Sequence, residues 1–315
     1  MQPTVFVDGQ DGTTGLRIHE LLAARQDLTL LRIAPELRKD PAERARLLNA
    51  ADVAFLCLPD AAARESAALV TNPRTCLIDA STAHRTDPAW VYGFPEWGPE
   101  RREALRSARR IANPGCHATG FIALVRPLVA AGLAAPDTPL AATSLTGYTG
   151  GGKAMMADYA ATPLPAALTA PRPYALGLAH KHLPEMRAQC GLAHAPTFMP
   201  VVGPFAQGLA VSVPLHRSQV NGDATALHAA LAAHYAGERF VRLLPLGDLA
   251  AATDGGFYDV QACNDTNRID LAVFAGGEHL LLMARLDNLG KGASGAAVQC
   301  MNLRLGLDED RSLRA

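Results

Sequence analysis

Aromatic residues are scarce in this chain, 5% of 315 positions, and neither sign of charge dominates, with 29 lysines and arginines against 30 aspartates and glutamates. A formal charge of −1 lacks the electrostatic footprint of a nucleic-acid binder or a membrane-surface protein. No apolar run reaches the ~18 residues that a spanning helix needs. The opening "MQPTVFVDG" has no basic-then-apolar leader pattern and runs straight into a strand, so a cytoplasmic protein is expected. The six cysteines form no CxxC pair and their spacings suit no zinc finger or ribbon; reduced thiols are expected, with no metal and no disulfide framework.

What the chain does have is apolar residues, 49% of the total, enough for a real core in about two domains. The first third alternates short apolar runs ("TVFVD", "LTLLRI", "VAFLCLP", "TCLIDA") with the helical patterns "TGLRIHELLAAR", "PAERARLLNA" and "AAARESAALV". Continuous apolar strands separated by amphipathic helices predict an α/β domain with a Rossmann-like, doubly wound parallel sheet. A short strand, "RRIA", closes it. After a helix at "TGFIALVRPLVAAG" the texture changes to the longer alternating stretches "LAATSLTG", "LAVSVPL", "IDLAVFAGG" and "EHLLLMARL", interrupted by one clear long helix, "ATALHAALAAHYA". That pattern predicts an α+β domain with a mixed or antiparallel sheet, with a Pro-rich loop from Thr162 to Pro173 and a final helix in "KGASGAAVQCMNLRLGL". The expected boundaries are 1–113 for the nucleotide domain, 114–290 for a catalytic and oligomerisation domain, and 291–315 for a C-terminal helix.

Between the first strand and first helix, "VDGQDGTTG" spaces Gly9, Gly12 and Gly15 as GxxGxxG, with Thr13 and Thr14 opening the helix. Such glycines permit a tight turn and let the backbone approach a pyrophosphate at the positive end of the helix. After the second strand, "RIAPELRKD" offers Glu36 but also Arg32, Arg38 and Lys39. The cationic surplus favours the 2′-phosphate of NADP(H), although solvated surface charge also accounts for it.

"NPGCHATG" sets Cys116 between a tight turn and a helix expected from about Ala118. A buried thiol packs as a small hydrophobe. A helix start instead lowers a thiol pKa from ~8.5 toward ~3.5–7.5 and makes a nucleophile, while its N–H groups stabilise an oxyanion. A thiolate beside a nicotinamide points to acyl-phosphate reduction through a thioester. "HKHLPEM" supplies a proton carrier: His182 and Glu185, three apart, share a helical face, and Glu185 fixes the imidazole tautomer. "DASTAHRT" places Ser81, Thr82 and Arg85 past a strand end, where arginine grips phosphate through its planar fork. "TGYTGGGK" reads as a flexible turn in which Gly150 and Lys153 approach phosphate or nicotinamide, or as a plain hairpin.

Five stretches in this order, "GQDGTTG", "IDASTAHR", "NPGCHATG", "HKHLPE" and "DNLGKGASGAAVQCMN", span most of the chain. Together they resemble the N-acetyl-gamma-glutamyl-phosphate reductases of arginine biosynthesis, most closely their shorter subgroup. The resemblance implies NADPH-dependent reduction of N-acetyl-glutamyl 5-phosphate to the semialdehyde with release of inorganic phosphate, by a homo-oligomer (dimer or tetramer). Carried onto this sequence, it implies Cys116 as nucleophile, His182 as acid/base and Glu185 as its orienting partner. It also implies substrate or phosphate contacts at Ser81, Arg85 and Asn113. Cofactor contacts are expected at Gly9, Gly12, Thr13, Thr14, Gly15, Arg38, Lys39, Gly150, Lys291 and Gly292, with the final helix packed back on the nucleotide domain. His117 stands where the longer enzymes carry an aromatic, so the acid/base role stays open between His182 and His117. Two other readings remain: a reductase of another acyl phosphate, such as an aspartate-semialdehyde dehydrogenase, and a non-catalytic dinucleotide sensor in which Cys116 only packs.

Overall fold

The computed structural model describes residues 2–315, which divide into two units: residues up to Gly115 with Ala293–Arg314, and Cys116–Gly292. In the first, strands β1 (Thr4–Asp8), β2 (Thr29–Leu31), β3 (Val53–Leu56), β4 (Cys76–Asp79), β5 (Val91–Tyr92) and β6 (Arg110–Ala112) form one sheet, ordered β2-β1-β3-β4-β6-β5. Every pairing is parallel, as the near-continuous apolar runs require. Helices α1 (Thr13–Ala23), α2 (Pro41–Ala50), α3 (Asp60–Ala68) and α4 (Pro99–Ser107) connect them. The strand alternation divides the core between the two faces. Val5 and Val7 pack with Ile18 and Leu22 of α1, and Phe6 packs with Leu47 and Leu48 of α2. Each fully buried side chain of this kind is worth roughly 1.5–3 kcal/mol against exposure.

Asp40 starts α2 by accepting a hydrogen bond from the Glu43 N–H, with Pro41 in the first helical position. Two elements extend the sequence expectation: α4, and β5, which lies beyond β6 at the sheet edge. The closing helix (Gly295–Arg304) follows a π turn at Gly290–Ser294 and packs against α4, β4 and α1. Buried polar ties anchor it: Gln299 Nε2 donates to Glu96 Oε1 (2.7 Å), and Ser294 Oγ donates to the Thr14 carbonyl (3.1 Å).

The second unit opens with α5 (Cys116–Ala130) and contains β7 (Ala141–Gly147), α6 (Gly152–Tyr159), β8 (Arg172–Pro173), α7 (Leu183–Cys190), β9 (Thr197–Gly203) and β10 (Leu209–His216). It continues through α8 (Ala224–His234), β11 (Val241–Leu243), α9 (Leu249–Ala252), β12 (Ile269–Gly276) and β13 (His279–Leu286). Its sheet is mixed, ordered β11-β12-β13-β10-β7-β9-β8, with β11/β12 and β7/β9 parallel and the other pairs antiparallel. Helix α5 lies on β10, β12 and β13, and α8 lies on β12. The "TGYTGGGK" turn is neither a free loop nor a hairpin. Tyr148–Gly151 forms a 3₁₀ turn that runs into α6, with Lys153 exposed in its first turn. The Pro-rich stretch also holds structure, a 3₁₀ turn at Ala166–Leu168 and β8. Among the described residues no helix is long and apolar enough to cross a membrane.

Candidate active site

In the first unit, the chain reverses direction of travel across the sheet between β1 and β3, and the Gly-rich turn sits at that carboxyl edge. Gly9 has φ of +90°, and a Cβ there would lie 2.3 Å from the Cys57 carbonyl oxygen, so only glycine fits. Gly12 differs. A Cβ on it would meet nothing nearer than 3.4 Å, so the fold itself leaves room there. Gly12 precedes α1 and no side chain caps that helix. An open helix start behind an unfilled glycine suits the pyrophosphate of a dinucleotide. Asp8, at the end of β1, is occupied by Arg44 (2.9 Å) and by the Ser66 hydroxyl (2.7 Å). Past β2, Arg32 and Lys39 are exposed, and Arg38 pairs with Asp11 of the Gly-rich turn.

The loop after β4 is tied down by a buried carboxylate. Asp79 accepts from the Ser81 N–H (2.9 Å) and the Ser81 hydroxyl (2.7 Å), and it contacts His84 Nδ1 at 2.7 Å. His84 stacks on Trp90 with centroids 4.0 Å apart. The Ser81 hydroxyl, expected to meet phosphate, is therefore turned inward, and its oxygen also accepts from the Ala83 N–H. Arg85 is buried, donating from Nε to the Asn113 carbonyl (2.9 Å) and from Nη2 to the Ala80 carbonyl (3.0 Å). Asn113 donates to the Ala293 carbonyl (2.9 Å), while its buried Oδ1 has no hydrogen-bond partner. Ser81, Arg85 and Asn113 thus come together at one carboxyl edge, with the Asn113 acceptor left over.

In the second unit Cys116 is itself the first residue of α5, correcting the expected start near Ala118. Pro114 and Gly115 end the turn, and a helix can begin directly after such a pair, so the sulfur sits inside the first turn rather than ahead of it. Gly292 lies against it: a Cβ there would be 2.8 Å from Cys116 Cβ. The "DNLGKG" stretch that delivers Gly292 is a knot of buried polar groups. Asp287 accepts from the Leu289 and Asp265 N–H groups (2.8 and 2.9 Å). Asn288 accepts from the Gly208 N–H (2.8 Å) and donates to Thr149 Oγ1 (2.9 Å), beside Gly150. Lys291 is buried, its Nζ 5.7 Å from the Phe240 ring centroid.

Directly after Cys116, His117 joins a cluster of three histidines. The rings of His180 and His182 each lie 5.4 Å from that of His117 and 4.7 Å from one another. His182 stands at the N-cap position of α7, with Glu185 buried in the helix's first turn. The His182 N–H donates to His180 Nδ1 (3.1 Å). The chain carrying these residues holds Ala175 and Leu178 at φ of +53° and +55°, a strain of order 1–3 kcal/mol per residue that concentrates at functional loops. His117 is fully enclosed, with Nδ1 2.7 Å from Ser144 Oγ and Nε2 2.9 Å from Tyr174 Oη. Burial, then repulsion from His180 and Lys181, pushes its pKa down to about 3, so it is neutral at physiological pH. Burial pushes the Tyr174 phenol up, and the charge of Cys116 adds to that. Ser144 and Tyr174 carried no sequence signal of their own, and only the fold brings them to the site; Asp287 and Asn288 lie in the "DNLGKG" stretch that the sequence already singled out, but without a role. Among the described residues no cluster of His, Cys, Asp or Glu is placed to hold a metal ion.

Comparison with known proteins gives a consistent set of likenesses. Residues 15–105 match the family described as semialdehyde dehydrogenase, NAD binding domain, and residues 116–288 match semialdehyde dehydrogenase, dimerisation domain. An N-acetyl-gamma-glutamyl-phosphate reductase of Burkholderia ambifaria is 49% identical over 310 residues, 97% of each chain. An N-acetyl-gamma-glutamyl-phosphate reductase 2 of Nostoc sp. is 46% identical over 325 residues, 99% of each chain. Among solved structures, aspartate semialdehyde dehydrogenase II from Vibrio cholerae superposes with a TM-score of 0.72 at 17% identity, over 97% of this chain and 99% of that one. The likeness at that identity is one of fold.

Proposed function

Because this chain belongs to the N-acetyl-gamma-glutamyl-phosphate reductase family of semialdehyde dehydrogenases, we propose that it catalyses the NADPH-dependent reduction of N-acetyl-L-glutamyl 5-phosphate to N-acetyl-L-glutamate 5-semialdehyde and phosphate, a cytoplasmic step of arginine biosynthesis. The observation that carries the reading is the position of Cys116 in the first turn of α5, directly before His117, whose ring lies 5.4 Å from that of His182. The helix start favours the thiolate. In this reading the Cys116 sulfur attacks the acyl carbon, the bond from that carbon to the phosphate oxygen breaks, phosphate leaves, and a thioester remains on Cys116. The dinucleotide, held by the Gly9–Gly15 turn, supplies a hydride when bound. His182 protonates the carbonyl oxygen as its charge grows and withdraws the proton as the carbon–sulfur bond breaks, releasing aldehyde and thiolate, with Glu185 orienting the ring. The neutral, doubly bonded His117 does not compete for that task. Arg85 is assigned to the anionic end of the substrate, and Asn113, whose unpartnered Oδ1 is an acceptor, to the substrate's amide N–H. NADP rather than NAD is supported by the surplus of Arg32, Arg38 and Lys39 over Glu36 after β2, with Arg38 paired to Asp11.

We assign self-association to the face of the seven-stranded sheet opposite α5, supported by the match of this unit to a dimerisation domain. The catalytic reading is tested in the reverse direction, by phosphate-dependent reduction of NADP and of NAD with N-acetylglutamate semialdehyde or aspartate semialdehyde. NADP reduction with the acetylated glutamyl aldehyde is expected. Turnover only with aspartate semialdehyde would move the substrate, and inactivity of folded, nucleotide-binding protein with both would refute the enzyme assignment.

A further inference from the structure

Ser144 on β7 is completely buried, and among the described residues its hydroxyl makes one hydrogen bond, to His117 Nδ1 at 2.7 Å. A neutral imidazole has one N–H and one lone pair, so two arrangements are possible. If Nδ1 carried the proton, the Ser144 hydroxyl would accept it and its own O–H would have no acceptor in a dry site. Burying an unpaired donor costs about 1–3 kcal/mol. If Ser144 donates instead, the donor is satisfied and only an oxygen lone pair goes unused. Nε2 then carries the proton and donates to Tyr174 Oη at 2.9 Å. The Tyr174 oxygen, acting as acceptor, keeps its own hydrogen for another group.

Cys116 adjoins His117 in the first turn of α5, and its charge acts on the Tyr174 phenol. Among the described residues the phenol's one hydrogen bond is that to His117. We infer that Ser144 and His117 are positioning residues, a donor chain running from Ser144 to His117 to Tyr174 that holds the phenol proton ready for the oxygen of the acyl group carried on Cys116. The histidines thereby divide the work: His182 moves a proton, whereas His117 fixes where another one points. His180, Lys181 and His182 face the imidazole from the chain around α7, with Phe198 of β9 and Tyr174 completing its surroundings. The inference rests on the acyl-transfer reading of Cys116 for its purpose, although the tautomer itself does not.

Two measurements test it. ¹⁵N NMR of the histidine-labelled wild-type protein should find His117 as the neutral Nε2–H tautomer across about pH 6–8; an Nδ1–H or cationic ring would overturn the chain whatever reaction the protein catalyses. In the reductase assay, Ser144→Ala should lower kcat about ten-fold, the scale of one transition-state hydrogen bond, with KM for acyl phosphate and nucleotide unchanged. Ser144→Thr, which keeps the donor, should restore most of the rate. Tyr174→Phe should cost at least as much, and adding Ser144→Ala to it should cost nothing further. Additive losses, or a Ser144→Ala enzyme with unchanged kcat, would refute the proposal.

Discussion

At the scale of single residues, reactivity turns on which groups are charged. The acid-stability signature of His117 follows from its depressed pKa of about 3, against an ordinary 6.5. Below about pH 6.5 an unfolded chain binds a proton at this position, and the folded chain does not until about pH 3. The group therefore costs no stability above 6.5 and costs about 1.4 kcal/mol per pH unit as the pH falls between those values. Denaturant unfolding at pH 7 and pH 5 should register a loss of roughly 2 kcal/mol in the wild type that His117→Asn lacks; equal losses in both proteins would place the shift elsewhere. For the thiol, Cys116→Ser should reduce turnover by on the order of 10³ while leaving NADPH affinity intact, measured by nucleotide fluorescence. Retention of substantial activity would remove the nucleophile. Cys116 stood out in the sequence because Asn-Pro-Gly before a helical pattern is a local signal. The environment of His117 was hidden, since Ser144 lies 27 residues away and Tyr174 57 residues away, and nothing local links them.

Elements were legible where one period dominated. The parallel strands read directly from apolar runs such as "TVFVD" and "VAFLCLP", and the helical pattern "PAERARLLNA" coincides with α2, whose start the structure fixes with the Asp40 cap and Pro41. The two-residue β5 is too short to carry a period, and α6 opens on consecutive glycines, which argue locally against a helix. The nucleotide turn makes a prediction at this scale because its glycines are not equivalent. Gly9→Ala forces a Cβ to 2.3 Å from a carbonyl oxygen at positive φ, so it should lower unfolding free energy by about 1–3 kcal/mol or more. Gly12→Ala places its Cβ at ordinary contact distance, so its melting temperature should stay near wild type. The added methyl would nonetheless occupy the space given to pyrophosphate, and NADPH affinity should fall by about ten-fold or more. A Gly12→Ala protein that binds NADPH normally would remove this turn from the cofactor site.

At the scale of the whole molecule, association turns on the second unit's sheet, one face of which carries α5 and α8. In β7, Ala142, Ser144 and Thr146 are buried, whereas Thr143 and Leu145 on the other face are only partly so. The register carries that second face across the sheet, from Met199 through Thr143 and Ser212 to Met283, and from Pro214 through Leu281 to Phe274. Met199 is 43% exposed, and Pro214, Phe274 and Leu281 line an apolar groove. Composition could not reveal this band, because in β13 its members alternate with core residues that look the same: Leu280 and Leu282 are buried, Leu281 is not. A face whose apolar members Met199, Met283, Pro214, Leu281 and Phe274 flank only Thr143 and Ser212 is a surface for association, and two copies can pair it about a two-fold axis, since each offers the same patch. Sedimentation should therefore find the wild type at a multiple of the 33.2 kDa chain mass. Leu281→Glu combined with Met283→Glu should drive it to monomer by adding two like charges per copy to a dry contact, while far-ultraviolet circular dichroism stays native because neither residue belongs to the α5-facing core. A monomeric wild type, or an oligomer indifferent to both charges, would move the interface to another surface and leave this band as plain exposed sheet.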